Sequence, residues 1–224
     1  MSFPLPKRAI FFSAHPDDEL GGAGGLLLKI MANGGAVHLV LCIDPAEPRM
    51  DGTMAQEECA MRVNEFQVVA KAIGASSTLL KFSRYPGLSY TTILPCVRAI
   101  RTFRPDAVII LQEDEYHTEH ALVARIVKRA VWHAGRAAFP ECGASHKTES
   151  VWEAEGDRPM HDPNHLEDIS EVVLRKTDLF ELYGSQQKRK DLVAASLGLN
   201  KFRGVMYKRG TYAEAFKITD FFYG

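Results

Sequence analysis

Residues 8–14 read Arg-Ala-Ile-Phe-Phe-Ser-Ala and residues 37–43 read Val-His-Leu-Val-Leu-Cys-Ile. Short runs that stay apolar without alternating belong to strands buried on both faces, the condition of a parallel sheet covered by helices. Between them Leu26, Leu27, Ile30 and Met31 recur at helical spacing, which predicts a helix over 23–33 that Asn33-Gly34-Gly35 terminates. Strand, helix and strand in so short a span form a crossover unit, right-handed in nearly all cases. The pattern repeats, with helices expected over 55–73, 91–103 and 119–133 and strands over 77–82 and 107–111. These units, covering about 8–134, predict an α/β fold with a Rossmann-like, mostly parallel sheet.

Beyond residue 134 the pattern weakens. Residues 135–164 are rich in Gly, Pro, Ser and charge, and only 150–153 reads as a strand, so the stretch is expected to be an irregular loop that shapes a substrate pocket. Helices are expected over 169–183 and 191–199 and a last strand over 214–218. A length of 224 residues with 46% hydrophobic and 25% charged side chains suits one ordinary globular domain spanning 1–224 and excludes a disordered chain. A formal charge of −1 supplies no basic field for nucleic acid or an anionic membrane surface. Cys42, Cys59, Cys96 and Cys142 show no C-x-x-C spacing, no leader pattern opens the chain, and no apolar run approaches the roughly 20 residues that span a bilayer. A cytoplasmic protein with free thiols, a small-molecule partner and no membrane partner is expected, with homo-oligomer formation left open.

Directly after the first strand stands Ala14-His15-Pro16-Asp17-Asp18-Glu19. Three carboxylates and an imidazole in five residues are electrostatically expensive unless a cation or hydrogen-bond donors compensate them. The position favours a cation, because ligands of open α/β sheets bind beyond the carboxyl ends of strands. The bland alternative is an acidic turn serving a helix N-terminus. Gly21, Gly22, Gly24 and Gly25 follow in the wrong order for a G-x-G-x-x-G dinucleotide loop, and are read as allowing close approach of helix and sheet.

His117-Thr118-Glu119-His120 follows the strand at 107–111, again at a carboxyl end. Two histidines three apart share one side of a starting helix turn and can face the same crevice as the first cluster. Catalytic zinc takes three protein ligands and leaves a fourth position for water, a count that His15, Asp18 and His120 meet. Asp17 then remains as a general base. A His₂Asp set accepts Fe²⁺ as well as Zn²⁺.

The string A-H-P-D-D-E at 14–19 resembles the signature of the LmbE-like (PIG-L) family of zinc-dependent N-deacetylases. Arg62 and Glu65 followed by Ile73-Gly74 resemble the family's R-x-x-E helix and its end, and 117–120 resembles its H-P-D-H. Asp168-Ile169, Lys176, Ser185-Gln186 and Glu214-Ala215-Phe216 resemble its D-I-T, K, S-Q and E-x-F positions. The resemblance implies a three-layer α/β/α domain, zinc on His15, Asp18 and His120, Asp17 as general base, His117 as the cationic group that stabilises the oxyanion, and Arg62 as a substrate contact. It implies removal of an N-acetyl group from a small amino sugar or sugar conjugate such as an N-acetylglucosamine derivative. An amidase for a larger thiol or sugar conjugate, or a non-catalytic sugar- or metal-binding module, are the alternatives. Thr118 and Glu119 stand where the family has Pro and Asp, the loop before His117 is acidic, and Gly184 replaces a common histidine.

Other residues carry blander readings. His38 lies within a strand and is expected to be a satisfied histidine, and His133, His146, His161 and His165 to face solvent for the most part. Trp152 and His146 are expected to influence substrate preference through the 135–164 loop. Lys188-Arg189-Lys190 is expected to be a solvated helix face.

Overall fold

The computed structural model describes residues 3–45, 56–187 and 191–220. Its strands β1 (Arg8–Ser13), β2 (Ala36–Ile43), β3 (Ser76–Phe82), β4 (Ala107–Leu111), β5 (Ser150–Ala154), β6 (His165–Asp168) and β7 (Ala213–Asp220) form one sheet in the order β3-β2-β1-β4-β5-β7-β6. The first five are parallel to one another, and β7 runs antiparallel between β5 and β6. The helices α1 (Asp18–Ala32), α2 (Gln56–Ile73), α3 (Tyr90–Phe103), α4 (Thr118–Ala134), α5 (Val173–Phe180), α6 (Gly184–Gln187) and α7 (Leu192–Met206) complete the order.

Alternation along β1 divides the core. Ala9 and Phe11 face Leu20, Leu26, Leu27 and Ile30 of α1, Phe66 and Val69 of α2, and Phe180 of α5. Ile10 and Phe12 face Ile93, Val97 and Ile100 of α3 and Val123, Val127 and Val131 of α4. Helices therefore cover both faces, and the near-continuous apolar composition of β1, β2 and β4 is the consequence. Strand order reverses between β1 and β4, because β1 leads outward to β2 and β3 while β4 lies on its other side. Such a switch point opens a crevice at the carboxyl ends of the two strands. Among the described residues no helix is long and apolar enough to cross a membrane.

The expected helix at 23–33 begins five residues earlier, at Asp18, and residue 23 marks an interruption instead: Ala23 has φ −147° and ψ 16°. Beyond the break, Glu214 of β7 accepts hydrogen bonds from Gly25 N (2.7 Å) and Leu26 N (2.8 Å), so a carboxylate of the C-terminal strand caps the second helical segment. Close packing requires the glycines here. A Cβ on Gly22 would lie 2.7 Å from Leu111 Cδ2, and one on Gly25 would lie 2.4 Å from Ile169 Cγ2.

The stretch expected as one irregular substrate loop over 135–164 is divided by β5. Its first part lies along the amino-terminal edge of the sheet, where His146 bonds the Pro105 carbonyl (2.7 Å) and Glu149 N bonds the Asp106 carbonyl (2.9 Å). The buried Arg101 guanidinium organises this turn by donating to carbonyls of Ala134, Phe139, Gly143, Arg136, Ala138 and His133. Only residues 155–164 leave the carboxyl end of β5. Trp152 points into the core, 2% exposed, rather than into a pocket. His165 is buried against Trp152 and Phe216 rather than solvent-facing, and bonds Glu167 (3.0 Å). Lys188-Arg189-Lys190 lies outside the described residues.

Candidate metal centre and active site

β1 delivers His15 and Asp18, and β4 delivers His117 and His120, to the same switch-point crevice. Asp17, at the N-terminus of α1, has φ 99° and ψ −21°, a left-handed conformation unusual for a residue with a Cβ. Its carbonyl accepts from Leu20 N (3.1 Å) and Gly21 N (3.0 Å), fixing this turn. Asp18 Oδ2 accepts from Ala14 N and His15 N, both at 2.8 Å, which leaves Oδ1 to face the histidines.

Three donor atoms converge there. His15 Nδ1 lies 3.1 Å from His120 Nε2, His120 Nε2 lies 3.3 Å from Asp18 Oδ1, and His15 Nδ1 lies 4.0 Å from Asp18 Oδ1. His117 closes the group from the solvent side, its ring centroid 4.7 Å from those of both His15 and His120. The ligating nitrogens of all three histidines gather within 4.8 Å.

Each inner histidine has a carboxylate behind it. His15 Nε2 bonds Glu119, which also takes Arg84 Nη1 (3.3 Å) and has His117 Nδ1 at 3.5 Å. His120 Nδ1 faces Glu115 Oε2 at 3.4 Å. A carboxylate on the far nitrogen fixes the tautomer and ring orientation that a metal ligand needs. Glu115 is itself held by Asp157 N (3.2 Å), Arg158 N (2.9 Å) and Gln112 Nε2 (3.1 Å). The acidic loop before His117 is thereby explained, because Glu115 supports His120 while Glu113 pairs with Arg125 and Lys128.

The charges respond strongly to this proximity. Burial would raise the Asp18 carboxyl, but the His120 imidazolium and the His15 N–H hold it well below the usual range. Burial would lower His120, but Asp18 and Glu115 push it up to about 10. The cluster thus demands a positive charge, which a proton on His120 supplies when no metal ion does. Burial, followed by the positive neighbours His15 and His120, pushes His117 below its ordinary value. That direction disfavours the charged form of His117 in the metal-free cluster. Burial pushes Glu19 up to about 7, with Tyr183 Oη and Ser13 Oγ as its donors.

Several positions noted in the sequence meet away from the histidines. Glu65, one helical turn after the buried Arg62, accepts from Ser185 N (2.9 Å) and Ser185 Oγ (2.5 Å). Lys176 Nζ, fully buried, donates to Glu214 Oε1 (2.9 Å) and Asn200 Oδ1 (2.8 Å). His38 is satisfied by Ser76 Oγ (2.8 Å) and Thr78 Oγ1 (3.1 Å) and lies far from the site on the edge pairing of β2 and β3. Glu115, Arg84 and Asn200 were not singled out from the sequence. For Glu115 the acidic run was a usable signal, whereas Arg84 and Asn200 lack any motif.

A Rossmann-like domain that presents a histidine–carboxylate cluster at its switch point, with capacity for a metal ion, is the class these features define. The chain matches the PIG-L family, described as GlcNAc-PI de-N-acetylase, over residues 10–131, more than half its length, and it belongs to that family. It is 26% identical over 167 residues, 61% of this chain and 57% of the relative, to the 1D-myo-inositol 2-acetamido-2-deoxy-alpha-D-glucopyranoside deacetylase of Rhodococcus jostii. It is 28% identical to the diacetylchitobiose deacetylase of Thermococcus kodakarensis over 190 residues, 80% of this chain and 70% of the relative. The chain thus spans less than two thirds of the length of the Rhodococcus relative. Among solved structures, the 4-carboxy-2-hydroxymuconate hydratase GalB of Pseudomonas putida superposes with a TM-score of 0.82 at 22% identity, covering 95% of this chain and 96% of that one.

Proposed function

We propose that this protein is a zinc-dependent hydrolase that removes an N-acetyl group from a small amino sugar or sugar conjugate, acting as a single domain. The observation that carries the reading is the triangle of His15 Nδ1, Asp18 Oδ1 and His120 Nε2, with edges of 3.1, 3.3 and 4.0 Å. Tetrahedral zinc about 2.1 Å from each of three donors separates those donors by roughly 3.4 Å, which this triangle brackets. Fe²⁺ is the other cation such a set accepts. When bound, the ion polarises the substrate carbonyl and acidifies the attacking water.

The protein's own groups perform the remaining steps. Asp17, whose left-handed backbone separates it from the ligand Asp18, takes a proton from the attacking water as general base. His117, at the solvent side of the cluster, donates an N–H to the developing oxyanion and assists departure of the amine. Arg62 contacts the substrate. Water adds to the carbonyl carbon, the proton taken by Asp17 passes to the amide nitrogen, the C–N bond breaks, and acetate and a free amine leave. The deacetylase names of the sequence relatives support the amide substrate, and the cytoplasmic location expected from four unpaired, buried thiols belongs to the same reading.

The test is acetate release from a panel of N-acetylated sugars by zinc-reconstituted protein, with and without chelator. Chelator-sensitive release is expected. Because a hydratase shares the fold, hydration of 4-carboxy-2-hydroxymuconate is assayed in parallel. Hydration without acetate release overturns the proposal.

A further inference from the structure

Next to Asp18 and His120 a cavity of about 160 Å³ extends under α7, and Asn200 stands on its wall. Asn200 is 4% exposed. Its Oδ1 is doubly claimed, by Lys176 Nζ at 2.8 Å and Ser196 Oγ at 3.5 Å. Lys176 is in turn anchored on Glu214, the carboxylate that caps the second segment of α1. A lysine donates and never accepts, so it can bond only the oxygen of an amide, and the amide nitrogen must therefore turn away from it. Among the described residues, Asn200 Nδ2 has no hydrogen-bond acceptor, and it is not one of the atoms closed off from open space without a partner, so it is open to the cavity that Asn200 lines. A donor held in place and turned to a cavity wall is available to a ligand acceptor.

We propose that Asn200 is a specificity-determining residue: its Nδ2, aimed into the cavity beside the candidate ligands, donates to a hydroxyl oxygen of the substrate. Lys176 is the positioning residue that keeps the amide in this orientation. The inference rests on the hydrolytic reading above and adds the chemistry of the group that enters the cavity. A purely aliphatic chain, which offers no acceptor, leaves Nδ2 unmet, whereas a sugar hydroxyl satisfies it. Leu111, Phe180 and Leu199, flanking the glycines at 21 and 22, suit the carbon skeleton of such a group, while Glu155, Asp157 and Ser196 also line the cavity. The loss of a hydroxyl that Asn200 binds is therefore read by whether the discrimination depends on Asn200.

The experiment measures kcat/KM for acetate release from N-acetylglucosamine and its 3-deoxy, 4-deoxy and 6-deoxy analogues, using zinc-loaded wild type, Asn200→Ala and Asn200→Asp. The aspartate variant retains an acceptor for Lys176 and nearly the original volume, so it folds where the alanine variant does not, and thermal melts identify which variants are folded. Wild type is expected to discriminate against one deoxy analogue by about tenfold, as one hydrogen bond commands. In a folded Asn200 variant that discrimination collapses towards unity, with KM rising for the parent sugar and zinc content unchanged. Lys176→Met, in which the amide is free to flip, should lose part of the same discrimination. If wild type releases acetate and the Asn200 variants keep its deoxy profile, or if no deoxy analogue is discriminated, the proposal is overturned while the hydrolytic reading stands. If wild type releases no acetate from these sugars or from the wider panel of N-acetylated sugars and conjugates, the hydrolytic reading fails and this inference falls with it.

Discussion

Asp17 and Asp18 are adjacent in sequence, and the left-handed backbone of Asp17 sits between strand and helix, so the proposed reading gives the two carboxylates different tasks. Asp17→Asn should retain zinc and lose about 10²- to 10⁴-fold in kcat, the usual cost of removing a general base. Asp18→Ala should lose zinc affinity instead, taking with it the acceptor for two backbone N–H groups. Zinc titration alongside turnover separates the two, and an exchanged pattern would reverse the assignments. Glu19, buried and pushed up to about 7, makes a prediction about metal-free protein. Its folded pKa lies above its ordinary value of 4.5, so its contribution to stability is fully present below about 4.5 and is lost as pH rises through about 7. That difference is worth roughly 3 kcal/mol. Glu19→Gln should remove this fall, and denaturant melts between pH 5 and 8 would show a flatter slope than wild type.

Among the elements, the parallel half was largely legible. β1, β2, β4 and their helices carry unbroken apolar runs or clean helical spacing, and their observed bounds lie within a residue or two of expectation except at α1. The N-terminal turn of α1 was not legible because glycines and acidic residues give no helical periodicity. Beyond its break at Ala23 the helix is held by contacts of Gly25 with Glu214 and Ile169, far along the chain. β6 escaped notice because four residues, His-Leu-Glu-Asp, offer no apolar run, and antiparallel pairing with β7 alone defines it. The candidate ligands could be named because His15, Asp18 and His120 cluster in two short motifs, the second of which includes Glu119, whereas the support from Glu115 became visible only when β1 and β4 were set side by side. The 135–149 turn shows the same limit, since one buried arginine gathers carbonyls that no local pattern announces. Arg101→Met should cost about 3 kcal/mol or more, leaving several buried carbonyls unmet. It should leave zinc affinity unchanged, because the turn lies at the edge opposite the site. Thermal melts with parallel zinc titration check both outcomes.

At the scale of the whole molecule, the site is a charge problem that the fold creates and a cation resolves. Zinc-loaded protein should carry one ion per chain. With free zinc at a thousand times its dissociation constant the folded state gains about 4 kcal/mol, so chelation should lower the melting temperature by several degrees. An unchanged melt on chelation would mean that the triangle does not hold the ion.

The bonds from Gly25 and Leu26 to Glu214 span 189 and 188 residues, and this sets an order of events during synthesis. His15, Asp18 and His120 leave the ribosome early, but the second segment of α1, which continues from the turn that carries Asp18, receives its cap only when β7 emerges. A nascent chain halted before Ala213 holds every candidate ligand and should nevertheless bind zinc far more weakly than the finished protein. Stalled chains of increasing length, probed for zinc retention, should show capture rising in one step as β7 clears the exit tunnel. On that prediction the end of the chain completes a site whose candidate ligands were written near the beginning.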